Sequence, residues 1–158
     1  MPIYVKYAAL NGDVTESTHS QWIEVNSFQW GVGRGIASPA GGSSDRESSA
    51  PSVSEIVVTK PTDVATVKLL DAALQGEGED VTIDFCKTDK GKLSVYLSYT
   101  LNNTMISGYS SSSGGDRPTE SVSLNFTKVM MTDVGLGAKN DEGQPATVGY
   151  DLALANVL

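Results

Sequence analysis

The sequence predicts a mainly β domain, a two-sheet β-barrel or sandwich with one flanking α-helix. Three observations predict it. Apolar and polar residues alternate with a period of two in segment after segment. Only one stretch, from Asp63 to Gln75, keeps the three-to-four spacing of an amphipathic helix. Seven to nine strands present two faces that one short helix cannot cover, so the strands must fold back on each other. With 158 residues, 39% of them apolar, the chain has the size of a single domain, residues 1–158, with its own core.

The first strand is expected between Pro2 and Ala8, where Ile3, Val5 and Tyr7 alternate with Tyr4, Lys6 and Ala8. Asn11-Gly12-Asp13 is turn chemistry. A second strand covers Trp22 to Trp30; Ile23 and Val25 share one face but Phe28 and Trp30 fall on the other, which predicts a bulge near Asn26-Ser27. Trp22, Phe28 and Trp30 are expected in the core. Residues 31–52 are dominated by Gly, Ser, Ala and Pro and read as an extended loop, either solvated or an arm that orders against a neighbouring chain.

Val53 to Lys60 is a strand, ended by Pro61. In the helix that follows, Asp63 or Thr66 caps the start and Gly76 the end, and Val64, Val67, Leu70 and Leu74 form the stripe expected to pack on the sheet. Val81 to Lys87 and Leu93 to Leu101 make the clearest hairpin, turned by Thr88-Asp89-Lys90-Gly91. Further strands are expected over Thr104 to Tyr109, Glu120 to Met131 and Thr147 to Val157, with a second polar loop from Ser110 to Pro118 and a variable C-terminal connection and strand over 132–158.

Composition narrows the function. Eleven basic residues against 19 acidic ones give a net charge of -8, which argues against a nucleic-acid partner or an anionic membrane. No apolar run is long enough to span a bilayer, and the first residues lack the pattern of a cleavable signal, so synthesis in the cytoplasm is expected. Cys86 is the lone cysteine, read as a packing residue, and His19 the lone histidine, which cannot build a multi-histidine metal site. Glu77, Glu79 and Asp80 read as a solvated turn rather than a cation loop. No motif for metal, phosphate, dinucleotide or nucleophilic chemistry is found, so no catalytic residue and no cofactor are expected. Hydroxyl and amide residues line one face of several strands, Ser94 and Ser98 in one, Ser123 and Asn125 in another. Such faces suit either bulk solvent or the wetted wall of a larger ring or channel.

Three strings carry a resemblance: Thr18-His19-Ser20-Gln21-Trp22-Ile23-Glu24-Val25-Asn26-Ser27-Phe28-Gln29-Trp30-Gly31-Val32; Thr59-Lys60 with Asp63 and its helix; and Arg117-Pro118-Thr119-Glu120-Ser121-Val122-Ser123-Leu124-Asn125-Phe126. In order and spacing they resemble the haemolysin-coregulated protein (Hcp) family of type VI secretion, over roughly residues 1 to 131. The resemblance implies a subunit that closes a homo-hexameric ring, with rings stacking into a tube that works with sheath, spike and effector proteins. It implies export to the extracellular space or a target cell without a signal peptide, and a lumen that carries or chaperones effectors. On that expectation Arg34, Arg46, Glu47 and Arg117 are candidate subunit-interface residues, and Ser94, Ser98, Ser123 and Asn125 candidate lumen-facing ones. The other function classes are a small monomeric enzyme using acidic pairs and a ligand-binding barrel with a cavity inside one subunit.

Overall fold

The computed structural model describes residues 1–37, 40, 47–135 and 144–158. Along the chain come β1 (Ile3–Tyr7), β2 (Ile23–Val25) and β3 (Ser27–Gln29), then four two-residue strands, β4 (Val32–Gly33), β5 (Ile36–Ala37), β6 (Glu47–Ser48) and β7 (Ser52–Val53). β8 (Ile56–Pro61) leads into α1 (Thr66–Gln75). The remaining strands are β9 (Glu79–Asp89), β10 (Lys92–Ser112), β11 (Thr119–Asn125), β12 (Lys128–Asp133), β13 (Ala146–Asp151) and β14 (Asn156–Val157).

The mainly β class is as expected, and the described ladders are antiparallel. One runs β14-β13-β12-β10-β9-β1-β2 and the other β10-β11-β8-β3, so β10 belongs to both. Residues 92–104 of β10 pair with β9, 97–102 with β12 and 105–112 with β11. The expected strand from Thr104 to Tyr109 is thus the second half of one 21-residue strand. It changes ladder where its register with β9 shifts, between Leu101 and Thr104, and Asn103 there has a left-handed φ of 50° that asparagine tolerates well. The expected barrel is left open: β2, β3 and β14 each end a ladder, and none of these ends is joined to another among the described residues.

The core follows the alternation. Val5 and Tyr7, Ile23 and Val25, Ile56 and Val58, Val81 and Ile83, Leu101, Val122 and Leu124 are all buried and pack as one cluster. Burying each such side chain contributes about 1.5–3 kcal/mol relative to leaving it in water. The 81–101 hairpin forms, but its turn is tighter than expected: Lys90 and Gly91, with φ of 50° and 76°, make a two-residue connection in the geometry that matches strand twist.

Elsewhere the structure corrects the sequence reading. The bulge expected near Asn26-Ser27 is a change of partner. β2 pairs with β1 and β3 with β8, and Asn26 between them donates its N–H to the Thr59 carbonyl at 2.6 Å. Glu120 to Met131 divides likewise into β11 and β12, and Thr147 to Val157 into the β13–β14 hairpin. Within residues 31–52, the arm, the described residues form two short ladders, β4 with β7 and β5 with β6.

The helix shows its other face. Val64, Val67, Leu70 and Leu74, the stripe expected against the sheet, are 63%, 76%, 41% and 78% exposed. Ala65 and Leu69 are buried instead, with Ala72 and Ala73 packed against the core. Small alanines let the helix lie close on the sheet, and its bulky residues then point outward. Asp63 accepts from the Ala65 N–H at 3.0 Å, and Gly76, at φ 71°, closes the helix by donating to the Ala72 carbonyl.

Candidate functional site

The expected interface charges do not converge. Arg34 is spent within the arm, its Nε donating to the Ser49 carbonyl at 2.8 Å and its Nη2 to Ser48 Oγ at 2.7 Å. Arg46 lies outside the described residues; the Glu47 backbone starts β6, opposite Ala37. Arg117 meets Asp13 at 3.8 Å, but both side chains are about half exposed or more, and a pair so open to water contributes roughly 0–1 kcal/mol.

The expected hydroxyl face is spread over both ladders. Ser94 and Ser98 lie on the first half of β10, opposite Lys87 and Asp84, whereas Ser123 and Asn125 lie on β11. Asn125 is exposed and donates to Glu55 Oε1 at 3.4 Å, while Ser94, Ser98 and Ser123 are half-buried. Ser98 is not open wall: its Oγ donates to Asp84 Oδ1 at 2.7 Å and joins a charged cluster.

That cluster centres on His19, which is 4% exposed. Nδ1 stands 2.9 Å from Glu16 Oε2 and Nε2 stands 2.9 Å from Asp84 Oδ2. The ring lies against Tyr4, at 5.0 Å between centroids, and edge-on to Trp22 at 4.6 Å. Tyr4, Asp84 and Ser98 form one cross-strand row on β1, β9 and β10. Hydrogen bonds from Thr18 and then His19 hold the Glu16 carboxyl down at about 2. Cys86 Sγ is 3.9 Å from Nε2, but burial, reinforced by Asp84 and Glu16, pushes its thiol up to about 11. At neutral pH it is a thiol, so this histidine and cysteine do not make an activated nucleophile.

A second cluster lies deeper. Lys60 on β8 and Glu120 on β11 face each other in register, 1% and 0% exposed, and their charged groups are in direct contact. Lys60 Nζ also reaches Asp63 at 2.9 Å and donates to the Pro61 carbonyl at 2.9 Å; Thr66 Oγ1 donates to Glu120 at 3.0 Å, and the Tyr109 hydroxyl donates to it as well. Burial alone would raise the Glu120 carboxyl, but hydrogen bonds from Lys60, Tyr109 and Thr66 outweigh it and hold it below the ordinary value. The Tyr109 phenol is pushed up to about 12, by burial first and Glu120 next. The cluster joins the second and third sequence strings and fixes the start of α1 to the β8–β11 ladder. It is an internal fastening without access for a substrate.

The surface also offers an apolar site. A cleft of about 280 Å³ opens between the base of the arm and the C-terminal hairpin, lined among others by Trp30, Val32, Val53, Met131, Val148 and Val157. Trp30 is therefore a half-buried cleft wall as well as a core neighbour, its Nε1 donating to the Ser54 carbonyl at 3.1 Å. With the outward ridge of α1, this leaves two uncovered apolar surfaces on one subunit. Among the described residues no group of His, Cys, Asp and Glu is arranged to hold a metal ion, and no helix is long and apolar enough to cross a membrane. Sequence reasoning missed both charged clusters: Glu16 and Asp84 lie on opposite sides of His19 in the chain, and nothing local pairs Lys60 with Glu120.

Against known proteins, a family model described as "Type VI secretion system effector, Hcp" matches residues 4–132. No curated protein matches the chain. Among solved structures, one described as a type six secretion system protein is 27% identical, with a TM-score of 0.91 and 99% of each chain covered. Hcp1 from Salmonella typhimurium is 22% identical, with a TM-score of 0.80, covering 99% of this chain and 98% of that one. A type VI secretion system effector from Yersinia pestis is 20% identical, with a TM-score of 0.75 and coverage of 94% and 98%. The last two support the fold alone.

Proposed function

This chain belongs to the Hcp family of type VI secretion, and from that premise we propose that it is a tube subunit: six copies close a ring, rings stack, and the tube leaves the cell with sheath and spike. The observation that carries the reading is the apolar surface the single subunit leaves uncovered, the α1 ridge and the cleft under the arm. Two different apolar surfaces on one chain favour head-to-tail association, which closes into rings when the rotation per copy divides a full turn. Ladder ends at β2, β3 and β14 support the same reading, because edges left unpaired in one copy suit continuation in the next.

In this proposal residues 1–158 act as one unit, the arm over 31–52 reaches the neighbouring subunit, and 132–158 is its variable end. Arg46, Glu47 and Arg117 serve contacts between copies, with Arg34 bracing the arm from within, while Ser94, Ser123 and Asn125 face the lumen, where effectors travel, and Ser98 is held back by Asp84. The role is structural and needs no catalytic group. Export proceeds from the cytoplasm through the machine itself.

Native mass spectrometry and negative-stain imaging of the purified protein test this. The expected result is a species of six times the 16.6 kDa subunit and a field of rings. A monodisperse monomer at high concentration overturns it. Leu74→Glu, on the exposed ridge, is expected to shift the assembly toward smaller species without unfolding the subunit.

A further inference from the structure

The β9–β10 hairpin carries opposite charge at its two ends. Its tip, residues 87–92, reads Lys-Thr-Asp-Lys-Gly-Lys in a chain whose net charge is -8. Lys87 is buried, but Lys90 and Lys92 are exposed, and neither is in an ion pair among the described residues. Asp89, opposite Lys92 in register, is half-buried and forms no ion pair with either of them.

At the other end, β9 begins with Glu79 and Asp80 beside the last turn of α1. A cleft of about 560 Å³ opens there, walled by Lys68, Asp71, Glu77 and Glu79, with Ala8, Leu10 and Ala72 supplying apolar lining. Three carboxylates against one ammonium leave it negative, and Glu77 and Glu79 are in no ion pair among the described residues. Asp71 accepts from Gln75 Nε2 at 2.8 Å, and Asp80 accepts from Asn102 Nδ2 at 3.1 Å. The nearby Lys6 ammonium donates to the Leu10 carbonyl at 3.1 Å. Such a cleft suits a lysine, whose stem can lie on the apolar lining while its ammonium meets the carboxylates.

β9 is 11 residues long, so tip and cleft stand about 30 Å apart and cannot meet within one copy. We propose that they meet between copies: Lys90 and Lys92 at the hairpin tip of one subunit enter the acidic cleft beside α1 of a subunit in the next ring. This rests on the stacked-ring reading above and gives the stack a direction. Tip on tip sets lysines against lysines, and cleft on cleft sets carboxylates against carboxylates, so only head-to-tail stacking pairs them. Each exposed pair is weak and screened by salt, but the contact recurs at every subunit around a ring. The seam holds collectively and gives way readily.

A zero-length carbodiimide cross-linker, which joins a lysine amine to a carboxylate touching it, tests this on the unaltered protein. In a mixture of nitrogen-14 and nitrogen-15 protein at high concentration and low salt, links from Lys90 or Lys92 to Asp71, Glu77 or Glu79 are expected in mixed-isotope peptide pairs. Raising the salt to about 1 M, where the Debye length is about 3 Å, should remove most of them. In sedimentation, Lys90→Glu with Lys92→Glu should cut the fraction larger than one ring about tenfold, and Glu77→Lys with Glu79→Lys likewise. All four changes in one chain should restore it. If a variant fails to fold, the wild-type links decide. Cleft carboxylates linked to other lysines of the neighbour, no links at all, or a four-change chain no better than either pair overturns the proposal. Ring imaging keeps the two readings apart: rings without tip-to-cleft links end this inference alone, whereas monomers in place of rings end the tube reading on which it rests.

Discussion

The two charged clusters use the same ingredients in opposite ways. Lys60 and Glu120 are sealed inside, on facing strands, with Asp63, Thr66, Tyr109 and the Pro61 carbonyl meeting the remaining hydrogen-bonding needs. His19 belongs to the segment 13–22 that packs on β1 and β9, and it sits between one carboxylate in that segment and another on the sheet. The first joins elements that are already laddered together; the second joins a segment whose main-chain bonds are to itself. A buried pair that is fully partnered fixes ladders already formed, whereas the histidine ties to the sheet a segment that the ladders do not hold.

Breaking the deep cluster is expected to have the largest effect. Lys60→Met leaves Glu120 as an uncompensated buried charge and should cost about 3–5 kcal/mol in urea unfolding, while adding Glu120→Leu should recover most of that. If the double variant is as weak as the single one, the cost lies in packing rather than charge. Tyr109→Phe removes one donor to the same carboxylate and should cost about 1.5–3 kcal/mol. At the His19 cluster, Asp84→Asn should lower global stability by only about 1 kcal/mol, since much of the disturbance stays local to residues 13–22. A loss as large as that of Lys60→Met would erase the contrast. The smallest effect is at acid pH. Because the Glu16 carboxyl is held at about 2 rather than 4.5, its contribution is present above pH 4.5 and lost as pH falls toward 2. Glu16→Gln should flatten that limb of the stability profile relative to wild type.

The period-two pattern made most of the sheet legible before any coordinates, because strands half-buried on one face record that face in alternate residues. Where a strand changes partner the record breaks, as at Asn26 and between β11 and β12, and the sequence reading saw a bend or a single strand. The helix was misread for a related reason. Val64, Val67, Leu70 and Leu74 are the bulkier stripe, and bulk was taken for burial, while Ala65, Ala72 and Ala73 carry little hydrophobic signal although closeness to the sheet requires them. The three strings that carry the family resemblance hold Lys60, Glu120 and His19, but their pairing is a matter of register between strands distant in the chain. The short ladders within residues 31–52 are not legible in the sequence, because two-residue strands leave no period to detect.

One strand bears on how the subunit comes apart. Since β10 is the common rail of both ladders, neither can melt and leave the other a complete sheet, and unfolding should pass through a single transition rather than two. A protease cut near Asn103 would sever that rail at its bend and scatter both halves together, so intact subunits and small fragments, with no half-sized survivor, are what limited digestion should leave.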